Sequence, residues 1–307
     1  MRTERVHNEA PGHDTAPVSA RIQPFYSSIM KFLLCLACAA LGVCLSAPLH
    51  AAKEYPLWEA GIGVGALTLP DYRGSDERTN YVFPLPYFIY RGDFLRVDRE
   101  GAQTYVYKGP RAELDFSLSA ANPAKSDEND AREGMSDLNP TFEIGPRFTY
   151  RLAGSPDAKY ELKFELPVRT VTEVDWPHLR HVGWLTNPLL NLDIRNVAGS
   201  AWNMGVQGGP VFADASYHEY YYGVDPQFAR AGRPAYDADG GYSGSQVSIG
   251  GSRRYNKWWL GAFVRYYDLH GSAMEDSPLV KRKNALFAGL GFAYVFAESD
   301  RKVLADK

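Results

Sequence analysis

The residues best suited to chemistry lie in one polar segment, residues 213–242. Its candidate base, acid and nucleophile groups are His218, Asp214, Ser216, Glu219, Asp237 and Asp239. A serine nucleophile needs a histidine base, and the base needs an orienting polar group, all within hydrogen-bond reach. A polar segment of this length offers such a set by composition alone. The sequence therefore predicts no catalytic residues and no enzyme, and hydrolysis at a rim is the least favoured functional alternative.

A metal or redox site is not indicated either. His178 and His181 are spaced i and i+3, but two ligands do not make a zinc site, which needs three or four. Exposed loop histidines are the simpler interpretation. All three cysteines, Cys35, Cys38 and Cys44, precede residue 53, so a mature chain starting there would have no thiolate ligand and no disulfide. We expect no metal and no cofactor.

Residues 213–242 are also rich in aromatic side chains. They are Tyr217, Tyr220, Tyr221, Tyr222, Phe228, Tyr236 and Tyr242. Tyrosine combines apolar area with a polar tip, which suits binding of sugars or protein surfaces. The alternative, which we favour, is an aromatic belt together with a loop that folds into the mouth of a barrel.

The elements that would position these residues are strands. Tyr160, Leu162, Phe164, Leu166 and Val168 alternate with polar residues, a period of two that predicts a wall with one apolar face. Twelve such segments are expected, at 58–67, 81–90, 94–98, 102–108, 111–120, 141–152, 159–170, 181–196, 202–212, 243–255, 258–268 and 284–296. Strands of about ten residues cross a bilayer at a tilt. The sequence predicts an all-β fold, a transmembrane antiparallel β-barrel of about 12 strands.

The predicted connections differ in length on the two sides of this barrel. The longer ones alternate along the chain with tight turns such as 109–110, 153–158 and 256–257, which are rich in Gly, Pro, Asn and Asp. Outer-membrane barrels have short periplasmic turns and longer extracellular loops. The outward connections are expected at 68–80, 99–101, 121–140, 171–180, 213–242 and 269–283.

The final strand and the amino terminus agree with this compartment. Phe292, Tyr294 and Phe296 end the last strand on its apolar face, as in the closing strands that the barrel assembly machinery recognises. Residues 30–52 have a short charged start, an apolar run and a small-residue end, the layout of a Sec signal peptide. We expect cleavage near residues 51 and 52, an early-called or disordered extension at 1–29, and a mature domain at 53–307.

Charge excludes nucleic acid as a partner. The chain has 33 Lys and Arg against 36 Asp and Glu, a net charge of −3, so no basic surface is indicated. The inward positions of the predicted strands carry both signs, for example Asp115, Arg147 and Glu165. This could line a polar channel or form a salt-bridge network that occupies the lumen. A barrel of about 12 strands lies between the filled barrels of about eight strands and the open porins of about 16 or more. On the basis of this size we favour the network.

Four ordered motifs resemble one family. They are Tyr72-Arg73-Gly74-Ser75-Asp76, Tyr220-Tyr221-Tyr222-Gly223-Val224, the segment 235–242 and the segment 276–280. They look like those of the MipA/OmpV family, the MltA-interacting proteins, over about residues 58–296. The resemblance implies an outer-membrane barrel in a Gram-negative bacterium, surrounded by outer-membrane lipid. It also implies a scaffold that joins a lytic murein transglycosylase to a murein synthase.

The resulting hypothesis is a non-enzymatic scaffold of the cell envelope, with a small-solute channel as the alternative. The residues expected to bind a partner or ligand are Tyr72, Arg73, Asp76, Tyr220, Tyr221, Tyr222, Tyr236 and Asp239. The short predicted periplasmic turns offer little docking surface. The segment 53–57 and the tail after Phe296 are therefore expected to supply contacts.

Overall fold

The computed structural model describes residues 54–92, 95–98, 101–155 and 158–304. The expected amino-terminal extension and signal peptide, residues 1–52, lie outside the described residues. Within the described ranges the chain is built almost entirely from strands.

The strands are numbered in chain order. They are β1 (Glu54–Pro56), β2 (Trp58–Pro70), β3 (Arg78–Arg91), β4 (Leu95–Asp98), β5 (Gly101–Lys108), β6 (Ala112–Ala121), β7 (Thr141–Gly154), β8 (Tyr160–Asp175), β9 (His178–Thr186), β10 (Leu189–Ile194), β11 (Trp202–Ala213), β12 (Gly241–Tyr255), β13 (Trp258–Asp268), β14 (Asn284–Glu298) and β15 (Lys302–Leu304). Within the described ranges, one α-helix, α1 (Ala215–Tyr222), and short 3-10 turns at Ser126–Glu128, Val197–Gly199 and Pro226–Phe228 occupy connections.

Strands β2 to β14 form one antiparallel sheet in which sequence neighbours pair, except that β9 and β10 do not pair with each other. The last long strand, β14, pairs with the first, β2, through Gly291 and Gly65. A Cβ atom at Gly63 would clash with the backbone oxygen of Phe292, so this close approach of strands requires glycine. The junction between β3 and β4 is the thinnest, with only Tyr90–Val97 and Arg91–Arg96 paired among the described residues.

The predicted transmembrane barrel of about 12 strands is confirmed at the level of fold. Strands β9 and β10 count as one, because both pair with β8, through Thr186–Val168 and Leu189–Glu165. The interruption falls at Asn187 and Pro188, where proline has no N–H to donate to the ladder. The expected strands 94–98 and 102–108 are the separate strands β4 and β5. Residue 94 lies outside the described residues.

One expectation about the connections was wrong, and the tail after the last long strand has a structure of its own. The expected loop 171–180 is mostly strand, because β8 runs to Asp175 and β9 begins at His178. His178 and His181 therefore lie in β9 rather than in a loop. The tail after Phe296 does not simply end in solvent: its strand β15 pairs with β1 through Glu54–Leu304 and Pro56–Lys302. These two strands form a second, two-stranded sheet at the periplasmic end.

The long connections are those on the extracellular side, at 71–77, 122–140, 214–240 and 269–283. The main apolar core is formed by side chains of these connections and by inward-facing residues at the extracellular ends of the strands. The strand wall itself exposes its apolar residues outwards, for example Val64, Val82 and Leu290, each more than half exposed. This inversion is expected where lipid covers the wall.

Candidate functional site

The predicted binding residues lie in a cluster of four extracellular loops, here called the mouth core. Its buried members from the loops are Tyr72, Ala124, Ala131, Leu138, Tyr217, Tyr221, Tyr222, Val224, Leu269, Met274 and Leu279. Leu269, Met274 and Leu279 are completely inaccessible to solvent. Burial of each such side chain stabilises the core by about 1.5–3 kcal/mol. The mouth of the barrel is therefore covered by packed protein.

Hydrogen bonds link loops that are far apart in the chain. The Tyr72 hydroxyl donates to the backbone oxygen of Leu279 at 2.9 Å. The Tyr222 hydroxyl donates to the backbone oxygen of Arg73 at 3.0 Å, and Ser277 Oγ donates to the backbone oxygen of Tyr222 at 2.7 Å. Burial raises the pKa of Tyr222 to about 12, so its hydroxyl stays protonated and able to donate.

Arg73 is held between two aromatic rings. Its Nη2 donates to Tyr217 Oη at 2.6 Å. Its Cζ lies 5.6 Å from the centroid of the Tyr217 ring and 5.3 Å from that of Tyr267, distances at which a guanidinium is attracted to a ring face. The positive charge is thus placed between Tyr217 of α1 and Tyr267 of β13.

Tyr220 and Tyr221 tie α1 to strands β7 and β8. Tyr221 Oη shares a hydrogen bond of 3.1 Å with Thr141 Oγ1. Tyr220 Oη donates to Glu173 Oε1 at 3.2 Å. Burial raises the pKa of both phenols. Asp214 begins α1 by accepting from the Tyr217 N–H at 2.9 Å, the usual role of aspartate before a helix.

The remaining candidates lie at the edge of this group: Tyr236 is partly buried and packs against the mouth core. Tyr236 donates to the backbone oxygen of Ala273 at 3.2 Å. Asp76 and Asp239 are exposed. Three of the eight predicted residues, Tyr72, Tyr221 and Tyr222, are buried, so the structure brings them together inside the core. Whether these residues bind a partner stays a prediction.

A serine and a histidine do meet, although not the pair that the sequence offered. His218 Nε2 contacts Ser243 Oγ, and His218 Nδ1 lies 2.5 Å from the backbone oxygen of Asp239. The backbone oxygen of Asp239 can only accept a hydrogen bond. His218 Nδ1 therefore carries the proton, and Nε2 accepts from the Ser243 hydroxyl. Burial lowers the pKa of His218 and keeps it neutral. Both His218 and Ser243 are completely inaccessible to solvent.

This pair was missed because Ser243 belongs to strand β12, 25 residues after His218. The carboxylates near His218 in the sequence have other roles. Asp214 caps α1, and Glu219 Oε2 accepts from the Ala238 N–H at 2.8 Å. The alternating pattern of β12 was the one signal that Ser243 faces inwards.

The inner wall carries a network of ion pairs below the mouth core. Arg147 binds both carboxylate oxygens of Asp115, at 3.0 and 3.1 Å, and lies 3.6 Å from Glu165. Arg254 of β12 reaches Glu59 of β2, which is not its neighbour in the sheet. Asp115 and Glu165 are 1% and 6% exposed, so water has little access to these carboxylates. This agrees with the predicted salt-bridge network.

Two kinds of feature are absent from the described part of the chain. No group of three or more His, Cys, Asp or Glu side chains is arranged to hold a metal ion within those ranges. No helix in the described part of the chain has the length and apolar character needed to cross a membrane.

Comparison with known families decides the identity of the fold. Residues 62–296 match the family described as MltA-interacting protein MipA. The chain belongs to the MipA family. No curated protein matches it significantly. The matched range includes the mouth core and the wall strands except the first residues of β2 and the last residues of β14, and the motifs that resembled this family contribute residues to that core.

Solved structures similar to this MipA family member are also outer-membrane proteins. A COG4313 outer membrane channel from Pseudomonas putida F1 has a TM-score of 0.40 and 10% identity, over 82% of this chain and 100% of that chain. The NanC porin has a TM-score of 0.36 and 5% identity, over 76% and 99%. Outer membrane phospholipase A from Escherichia coli has a TM-score of 0.30 and 11% identity, over 78% and 93%.

At these TM-scores the similarities give no information about what the MipA family member binds or catalyses. Family membership together with the fold places the protein in the outer membrane of a Gram-negative bacterium. The predicted localisation is thereby confirmed. Phe292, Tyr294 and Phe296, the residues expected to form the assembly signal, all lie on the lipid-facing side of β14, exposed to 46%, 37% and 57%.

Proposed function

We propose that this protein is a non-enzymatic scaffold of the outer membrane that holds murein enzymes at its periplasmic face. The observation that carries the proposal is the mouth core. Four loops from different parts of the wall share one buried core and exchange hydrogen bonds. A packed mouth suits a protein whose task is to be an anchor, whereas a channel needs an open path.

The family description supports a partner. The family name refers to interaction with MltA, and we infer that the partner is a murein-degrading transglycosylase, with a murein synthase as a second member of the complex. Both partners would meet the barrel from the periplasm.

The periplasmic sheet of β1 and β15 supplies the surface that the short turns lack. It is tied to the wall by backbone bonds, from the Leu57 N–H to the Arg301 oxygen at 2.8 Å and from the Ser299 N–H to the Trp58 oxygen at 2.9 Å. Strand β15 is an edge of this two-stranded sheet, and an extended segment of a partner can add to such an edge. We propose that the murein enzymes dock there.

The test is a pull-down of purified lytic transglycosylase and murein synthase by the folded barrel. The wild-type barrel should retain at least one enzyme, and a variant that ends after Ser299 should retain neither. A tag inserted after Gly232, an exposed loop position with positive φ, is the extracellular control and should bind like the wild type. Retention of neither enzyme by the wild type would refute the scaffold, and measurable conductance in planar bilayers would then favour the channel.

The buried Ser243–His218 pair gives a sharp test of the absence of catalysis. A serine nucleophile must reach its substrate, and Ser243 has no exposed surface. A fluorophosphonate probe should therefore not label the native barrel. Labelling of the wild type that disappears in Ser243→Ala would establish a hydrolase instead.

A further inference from the structure

Arg253 is a charged residue on the lipid-facing side of the wall. It is exposed, and its partners across the ladders are Trp202 on β11 and Leu260 on β13. Leu260 in turn pairs with Phe292. Directly paired residues of antiparallel strands share a face, and Leu260 and Phe292 are exposed to 42% and 46% on the outer face. Arg253 therefore points out of the barrel, among apolar side chains.

The depth of Arg253 in the wall is defined by an aromatic row. Tyr255 pairs with Trp258, and Trp258 pairs with Tyr294, close to the periplasmic turn at 256–257. Such rows mark the membrane interface. Arg253 lies two residues further from the turn than Tyr255, about 7 Å along the strand. The Cα atom of Arg253 therefore lies on the membrane side of the interfacial row.

A cation at this depth needs an anionic partner. Among the described residues the Arg253 side chain makes no hydrogen bond and no salt bridge, whereas its neighbour Arg254, which faces the lumen, binds Glu59 and the backbone oxygen of Asn256. An unpaired charge on the lipid face is destabilising, by an amount that increases with depth. A long side chain reduces this cost by reaching a charged group at the interface.

A groove lies beside Arg253 on the periplasmic half of the wall. It encloses about 380 Å³, and its lining includes Trp202, Tyr255, Trp258, Leu260 and Phe292 together with Arg253. The Trp258 and Phe292 rings are stacked, with centroids 4.9 Å apart and planes 15° apart. The site thus combines one unpaired cation with an apolar trough built from aromatic and aliphatic side chains.

We propose that this groove binds a glycerophospholipid of the periplasmic leaflet. The phosphodiester accepts hydrogen bonds from the Arg253 guanidinium, whose planar fork matches phosphate oxygens. One acyl chain lies in the trough beside Leu260 and Phe292. The occupant is a phospholipid, because the site is on the periplasmic half of the wall, where glycerophospholipids form the leaflet.

Native mass spectrometry of the barrel in a nonionic detergent tests this proposal. Phosphatidylglycerol added to the wild-type barrel should be retained as a complex of one lipid per barrel. In Arg253→Gln the retained fraction should be lower, by about tenfold in affinity, the loss expected for a charge-assisted hydrogen bond. Arg253→Lys should retain an intermediate amount, because its ammonium binds phosphate as a point charge.

Two controls distinguish specific recognition of the phospholipid from nonspecific binding of lipid. Lys257→Gln removes a nearby exposed cation that does not line the groove, and it should retain the lipid like the wild type. Diacylglycerol, which has no phosphate, should be retained equally by the wild type and by Arg253→Gln. Heat-modifiable migration of each variant in gels verifies that the barrel is folded.

The proposal is overturned if Arg253→Gln retains phosphatidylglycerol as well as the wild type does. It is also overturned if Lys257→Gln loses as much lipid as Arg253→Gln, since any surface cation would then be equivalent. Neither result depends on the murein enzymes, so this site stands or falls separately from the scaffold proposal.

Discussion

The hydroxyl of Tyr222 donates a 3.0 Å hydrogen bond to the backbone oxygen of Arg73, 149 residues earlier in the chain. This contact joins the loop after β11 to the loop after β2. Tyr222 is 1% exposed, so its hydroxyl cannot exchange this partner for water. The mouth core therefore depends on contacts of this kind.

Tyr222→Phe should destabilise the mouth core by about 1–3 kcal/mol, because it leaves the Arg73 carbonyl buried without a donor. The free energy of unfolding can be measured with urea in detergent micelles, and loosening of the loops by limited proteolysis. Tyr255→Phe, on the exposed outer face, is the matched control and should change neither quantity. Equal sensitivity of the two variants would mean that the buried bond is unimportant.

His218 should make the mouth core sensitive to acid. Burial lowers its pKa in the folded state, so at pH values just below about 6.5, the usual histidine value, the unfolded chain binds a proton that the folded chain does not. Stability is therefore present above pH 6.5 and is lost as the pH falls, at up to about 1.4 kcal/mol per pH unit.

The measurement is the urea midpoint of the wild type and of His218→Gln between pH 7.5 and pH 5.5. The wild type should lose more stability than the variant over this range. Carboxylates with depressed pKa values, such as Glu275, titrate at lower pH and do not confuse the comparison. Parallel curves for the two proteins would contradict a neutral, buried His218.

Phe164→Arg should destabilise the barrel by about 2–4 kcal/mol, the cost of arginine on the lipid face near the middle of a barrel wall. Phe164 pairs with Tyr150 and Leu190 on the outer face. Lys163→Arg keeps a positive charge on the inner face, beside Asp193 at 2.9 Å, and should have little effect. Unfolding in lipid vesicles measures both. If Lys163→Arg were the more destabilising change, the register of β8 would have to differ by one residue from the one described here.

Phe296→Ala should lower the amount of folded barrel in the outer membrane, because it removes the terminal aromatic residue of β14 that we expect the barrel assembly machinery to read. A chain that ends after Ser299 keeps all of β14 and loses only β15. It should assemble like the wild type. Heat-modifiable protein in outer-membrane fractions is the readout, and equal loss from both changes would place the signal elsewhere.

The alternation of apolar and polar residues along the chain was sufficient to predict the strands of the wall and the face to which their residues point. Alternation along β8 assigned Phe164 to lipid and Glu165 to the lumen, and the ion pair between Glu165 and Arg147 agrees with that assignment. Alternation is a property of neighbouring residues, so it can be read without knowing what lies across the fold. The same pattern gave the separate strands β4 and β5.

The tertiary structure alone decided the mouth core, the Ser243–His218 pair and the sheet formed by β1 and β15. Tyr72 meets Leu279 across 207 residues, and Glu54 pairs with Leu304 between the two ends of the described chain. No period in the sequence encodes such meetings. They arise because the wall brings the ends of distant strands together, and buried polar groups must then find donors and acceptors in whichever loops lie beside them.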